Sequence, residues 1–253
     1  MKKIRRKTPR PELKIPTFLV GYVAPEPLPP GFLAAWFNQE YGGPLHIELM
    51  PGEGYTIFEA RHGPWEALAD TNLPPAIADS WRERLGWGHR RAAQVLPLRL
   101  PSRDSREIIL HVTRLARGLT LLTGGTAYDT ATETYLNPSD WSDRPLRDFQ
   151  ISDHLRIEQV SAREDGRTWF HTRGLSKFGL EDVEVYRPPG LSERPVVEFL
   201  SELAENLIDS GKAPNVGEVM RLESSGRLVR ILRHRTDQSY GIRLNLREVE
   251  WDT

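Results

Sequence analysis

Hydrophobic positions change their period along this chain, and the changes mark out its elements. Thr17–Val23 (TFLVGYV) is a β-branched and aromatic run closed by APEPLPPG, which predicts a first strand. Gly31–Tyr41 places Phe32, Leu33, Trp36 and Phe37 at one-turn spacing, with Pro30 where a helix start tolerates the missing N–H. His46–Met50 and Tyr55–Ala60 flank the turn PGEG and predict a hairpin. Between Pro74 and Ala93, Ile77, Trp81 and Leu85 recur at helical spacing, with Gly86 and Gly88 as breaks, and Val95–Leu100 is a short apolar run between prolines. The broadest apolar stripe joins Ile108, Ile109, Val112, Leu115, Ala116, Leu119 and Leu122 on one helix face. Asp104 is placed to cap that helix and Gly124-Gly125 to end it.

The second half alternates more strictly. Ala127–Asp129 and Thr134–Leu136 flank a polar turn, and Asn137-Pro138-Ser139-Asp140-Trp141 opens a helical turn. Leu155–Ala162 and Thr168–Thr172 lie on either side of Glu164-Asp165-Gly166, a hairpin signal, and Val183–Tyr186 is a further strand. Ser192–Asp209 lines Val196, Val197, Leu200, Leu203, Ala204, Leu207 and Ile208 along one helix face before Gly211. Val216–Leu222 and Arg227–Arg233 form a hairpin over Glu223–Gly226, and Tyr240–Leu246 is a last strand. No fixed-period repeat runs through the chain, which excludes solenoids and propellers. The pattern predicts an α+β fold, with antiparallel or mixed sheets, helices packed on one face, and two similar-sized layers. A leader at 1–16 and subdomains at 17–136 and 137–253 are the expected divisions, the two subdomains also being readable as one continuous domain.

Composition narrows the chemistry. The chain has 253 residues, 38% of them hydrophobic, with seven Trp, enough to bury a core and too apolar for bulk disorder. It has no cysteine, which excludes thiol catalysis, thiolate-bound zinc, iron–sulfur clusters and disulfides. Its apolar runs are too short for a transmembrane helix. The net charge is −1, yet Lys2, Lys3, Arg5, Arg6, Lys7 and Arg10 crowd the first ten residues without an acid, leaving an acidic body behind a basic arm. No apolar stretch follows that arm, so a secretory signal is not expected and a cytoplasmic location is. The arm reads as a contact for phosphates or an acidic partner, or as a solubilising terminus.

Motifs for metal, nucleotide and serine chemistry are missing. The seven histidines, at 46, 62, 89, 111, 154, 171 and 234, make no HExxH, and neither GxSxG nor a Gly-Lys-Ser/Thr loop occurs. No cofactor or metal is expected. In Thr123–Trp141, Asp129, Thr132, Glu133 and Asp140 could ligate a hard cation, but their spacing is not that of a calcium loop; Asp129 and Thr130 also read as turn formers and Trp141 as a core anchor. In Trp169–Gly179, strand alternation puts Trp169, His171 and Arg173 on one side. His171 and Arg173 could then serve as a general base and an anion contact. In a purely structural reading His171 makes a fixed hydrogen bond and Arg173 pairs with Glu181 or Asp182. The last hairpin carries Arg221, Arg227, Arg230, Arg233, His234 and Arg235, a basic surface poor in aromatics that suits phosphate contact or protection of a sheet edge.

Two stretches, Gly124 to Trp141 and Trp169 to Glu184, fit the patterns GxxxxDxxTxxxxxPxxW and WxHTxGLxxFGxxxxE. Together with the apolar helix that follows, they resemble a group of bacterial domains of unknown function. The resemblance covers residues 103–222 and assigns His171, Thr172, Gly174 and Gly179 to the signature, with Glu184 as its acidic residue. Some members of the group are encoded beside secreted toxins, which implies an immunity-like or accessory role. The leading expectation is therefore a non-catalytic protein that binds another macromolecule, a protein-interaction module with Trp36, Tyr41, Trp65 and Trp87 as candidate anchors. One alternative is nucleic-acid association through the basic arm and Arg230, Arg233 and Arg235. The other is an enzyme centred on His171, Arg173 and Asp129. The oligomeric state is left open.

Overall fold

The computed structural model describes residues 15, 17–50, 56–85, 88–99, 105–160, 167–187, 192–212, 214–237 and 244–251. The chain divides into two compact units, with residues 15–156 in one and 157–253 in the other.

The N-terminal unit holds β1 (Phe18–Tyr22), α1 (Pro30–Tyr41), β2 (His46–Leu49), β3 (Ile57–His62), β4 (Trp65–Asp70), α2 (Pro75–Leu85), β5 (Arg91–Pro97), α3 (Ser105–Thr123), β6 (Thr126–Asp129), β7 (Thr134–Leu136) and α4 (Pro138–Ser142). Its strands form one antiparallel sheet in the order β2-β3-β4-β5-β1-β6-β7. The central strand β1 is buried on both faces, and its alternation sorts its side chains. Phe18, Val20 and Tyr22 join the core formed with α1 and α3, whereas Leu19 packs with Leu73, Ala78 of α2 and Ala92 on the other side. Helices therefore cover both faces here, with α2 over only a patch of the second. Gly118 lets α1 and α3 approach closely: a Cβ there would lie 2.6 Å from the Trp36 ring. At the end of α3, Gly124 has a φ of 61° and the Gly125 N–H bonds back to the Thr120 carbonyl, closing the helix.

Two elements of this unit differ from the sequence expectation. The helix predicted over Pro74–Ala93 stops at Leu85, because Arg91, Ala92 and Ala93 pair with Tyr22, Gly21 and Val20 as the start of β5. Strand β4 was not anticipated, since WEALAD lacks β-branched residues. Its Ala67 and Ala69 lie fully buried in the core that α3 covers, where small side chains let the helix approach. The Asp104 cap and the turns PGEG and Glu164–Gly166 lie outside the described residues. The polar stretch after β7 stays with the N-terminal unit: Trp141 is fully buried in its core, and the Arg114 side chain donates to the Leu146 carbonyl at 2.8 Å.

The C-terminal unit takes in β8 (Arg156–Val160), β9 (Thr168–Arg173), β10 (Asp182–Arg187), α5 (Arg194–Ser210), β11 (Val219–Arg221), β12 (Leu228–Asp237) and β13 (Leu244–Trp251). The sheet order is β11-β12-β13-β10-β9-β8, and the β10–β13 pair is parallel, so this sheet is mixed. The expected stripe on α5 is buried from Val196 to Ile208, apart from the 40% exposed Val197, and the helix contacts β9 and the 3-10 turn Leu175–Phe178. The architecture is α+β, as the pattern of the chain predicts. Among the described residues no helix is long and apolar enough to cross a membrane.

Candidate functional site

Antiparallel pairing of β9 with β10 sets His171 opposite Glu184 and Trp169 opposite Tyr186. Residues opposite one another point to the same side, so the face carrying Trp169, His171 and Arg173 also carries Glu184 and Tyr186. All of these except the half-buried Tyr186 are withdrawn from solvent, Glu184 completely. A buried carboxylate is tolerable only when paired and hydrogen-bonded. Glu184 meets that condition fully: Arg235 grips both of its oxygens, Trp169 Nε1 donates to Oε2 at 2.7 Å, and the Tyr186 hydroxyl lies 3.4 Å away. Arg235 also donates to the Tyr186 hydroxyl at 2.9 Å and lies over the Trp169 ring, 5.1 Å from its centroid.

A second carboxylate organises the neighbouring residues. Glu158 Oε2 accepts from Arg173 Nε at 2.7 Å and lies 3.2 Å from His171 Nε2, while the His171 ring packs on Trp169 at 4.4 Å. The third is Glu181, held by Arg247 and with His234 Nε2 at 3.1 Å. Asp182 acts on the backbone, accepting from the Thr172 hydroxyl at 3.0 Å and from the Leu175 N–H at 3.2 Å. The stretch from His171 to Glu184 is thus a polar core that fixes β9, the 3-10 turn and β10 to one another.

His171 and Arg173 lie side by side as alternation predicts, and both reach Glu158, a partner in β8 that the sequence reading passed over. β8 and β9 are neighbours in the sheet, as the hairpin signal Glu164-Asp165-Gly166 predicts, so a residue of β8 near this pair was to be expected. Tyr186 and Arg247 were missed as members of this core, and Glu181 was considered only as a partner of Arg173; Arg247 falls on the last strand, which the pattern placed too early. Asp129 lies in the other unit, where Oδ1 accepts from the Ala131 and Thr132 N–H groups and shapes the β6–β7 turn. Among the described residues, no group of three or more His, Asp or Glu is placed to hold a metal ion.

The basic residues of the last hairpin have separate fates. Arg235 is held by Glu184, Arg233 pairs with Glu248, and His234 faces Glu181. Arg221 and Arg230 are exposed and make no ion pair among the described residues, although Glu250 lies opposite Arg230 in register. Around them the hairpin exposes apolar groups: Val219 is 51% exposed, Leu232 40% and Leu228 39%. Register sets Val219 opposite Arg230 and Leu228 opposite Arg221, so these four share one face of β11 and β12. The basic arm, Lys2, Lys3, Arg5, Arg6, Lys7 and Arg10, lies outside the described residues, as does Trp87.

The aromatic candidates of the N-terminal unit are engaged internally. Arg117 stacks over Trp36 at 5.4 Å, donates to the Tyr41 hydroxyl at 2.9 Å and pairs with Glu40 at 3.0 Å, while Arg114 covers the other Tyr41 contact at 4.7 Å. Trp65 is half-buried in β4. No curated protein and no solved structure matches the chain. Residues 157–239, which contain the whole Trp169–Glu184 signature, match the C-terminal domain of a protein family of unknown function, DUF4026.

Proposed function

We propose that this chain works by binding another protein, and that the exposed face of the β11–β12 hairpin is the contact. The observation that carries this reading is the shared face on which Val219 and Leu228 stand in solvent beside Arg221 and Arg230, two arginines without ion pairs among the described residues. Apolar side chains rimmed by arginine are the usual make-up of a protein contact, since the guanidinium adds directed hydrogen bonds to a desolvated patch. β11 is moreover an edge strand of three residues, so an extended segment of a partner can add to it through backbone hydrogen bonds. The partner that fits is a protein presenting acidic and apolar residues in alternation. An immunity-like or accessory subunit is a protein of this kind.

The same hairpin offers little to a nucleic-acid backbone. Phosphate contact needs a row of uncommitted cations, and Arg233 and Arg235 are neutralised by Glu248 and Glu184. The polar core around His171 also supports a structural reading, because its imidazole is enclosed by Glu158 and Trp169 and is 1% exposed.

The test is capture of partners from nuclease-treated host extract by the tagged full-length chain and by a Leu228→Glu/Arg230→Glu variant. A stoichiometric protein retained by the first and lost by the second is the expected result. Capture that is indifferent to the substitutions, or recovery of nucleic acid alone when nuclease is omitted, overturns the proposal.

A further inference from the structure

The N-terminal unit contains a cleft of about 410 Å³ that owes nothing to the hairpin. It lies beside the end of β1, with the start of α2 on one side and the start of β5 on the other. Its apolar wall is formed by Leu73, Pro75 and Ala78, and its polar wall by Arg82, Arg90 and Arg91. Asp79 is the single carboxylate in the lining.

The three guanidinium groups are held in different ways. Arg91 is anchored, with Nε donating to the Pro25 carbonyl at 2.8 Å and Nη1 to Asn72 Oδ1 at 2.6 Å, both neutral acceptors. Its charge is thus positioned without being cancelled, since it makes no ion pair among the described residues. Arg82 pairs with Asp79 across one helical turn. Arg90 is exposed, and its side chain makes no hydrogen bond or ion pair among the described residues. The lining therefore carries three positive charges against one negative, next to apolar groups of which Leu73 is 6% and Ala78 4% exposed. A rigidly held arginine, a movable arginine and a dry wall form the arrangement that grips an anionic head while covering an apolar body.

We infer that this cleft binds a small organic anion, with a phosphate or carboxylate head directed at Arg90 and Arg91 and an apolar body against Leu73 and Ala78. The exposed Arg90 guanidinium can take either head in a bidentate grip, Arg91 adds a fixed positive charge although all three of its nitrogens already donate to Pro25 and Asn72, and the size of the cleft lies within the range of metabolite sites.

Calorimetric titration of the full-length chain with phenyl phosphate, benzoate and inorganic phosphate, at fixed ionic strength, tests this. Saturable one-site binding of phenyl phosphate or benzoate, with inorganic phosphate weaker for want of a body, is expected; the tighter of the two organic probes identifies the head. Arg90→Gln should weaken binding by about tenfold or more, the loss of one charge-assisted hydrogen bond. Asp79→Asn should tighten it, because it removes the only opposing charge and frees Arg82. Both residues are exposed, so the variants are expected to melt with the parent chain. Absence of saturable binding by either organic probe overturns the inference. So do affinities that neither substitution changes.

Discussion

Glu184 shows how one side chain in this molecule is justified by several others. It is fully buried yet accepts from Arg235, Trp169 and Tyr186, so its lone pairs are occupied and its charge is balanced. Removing the counter-ion alone strands a buried carboxylate. Arg235→Ala is expected to cost about 3 kcal/mol in urea denaturation, the lower end for breaking a buried pair because Arg235 is partly exposed. Glu184→Leu combined with Arg235→Met should recover much of that loss; an equal loss in the double variant would show that packing, not the pair, is responsible. The acidic position in the signature was visible in the sequence. Its partner was not, since Arg235 is 51 residues away and comes beside Glu184 only when β13 inserts between β12 and β10.

Among the elements, the short helix α4 is the one most fully specified by local sequence. Asn137 accepts from the Ser139 and Asp140 N–H groups, Asp140 reaches back to the Asn137 N–H at 2.8 Å, and Pro138 occupies the first turn. The helix places Trp141 in the core of the N-terminal unit. Asn137→Ala should therefore lower stability by about 1 kcal/mol, while Asn137→Ser should be nearly neutral; a silent alanine variant in thermal or chemical melts would mean that the Trp141 anchor alone holds the turn. The opposite case is β4. Its alternating alanines match no strong strand preference, and only α3 lying over them makes small residues the right choice.

At the scale of the whole molecule, the buried histidines link stability to pH. Burial pushes His111 down to about 4; its Nε2–H donates to the Ala60 carbonyl at 3.0 Å and Nδ1 has no hydrogen-bond partner among the described residues. Burial also lowers His62 and His89. A base whose folded pKa is depressed binds protons more readily when unfolded. Its contribution is then intact above the ordinary value near 6.5 and is lost as pH falls from there toward 4. For His111 alone, stability at pH 5 should be about 2 kcal/mol below that at pH 7. Asp153, whose pKa burial raises, works in the opposite direction. Urea melts at the two pH values should show a smaller difference for His111→Phe than for the parent chain, and equal differences would remove His111 as the cause.

What the sequence determined by itself is whatever depends on neighbours along the chain: the stripes of α3 and α5, the glycine that ends each, the α4 capping box, the alternation that puts Trp169, His171 and Arg173 on one face, and with these the α+β class. Periodicity, capping and turn chemistry act over a few residues, so they are legible without the fold. Tertiary structure alone decided which strands are neighbours. It turned Arg91–Ala93 from an expected helix end into a strand beside β1, brought Glu158 to His171 and Arg235 to Glu184, and left Val219 and Leu228 in solvent next to Arg221 and Arg230. The physical reason is that a charge or an apolar group takes its meaning from what lies across the sheet, and sheet order is set by long-range pairing and burial.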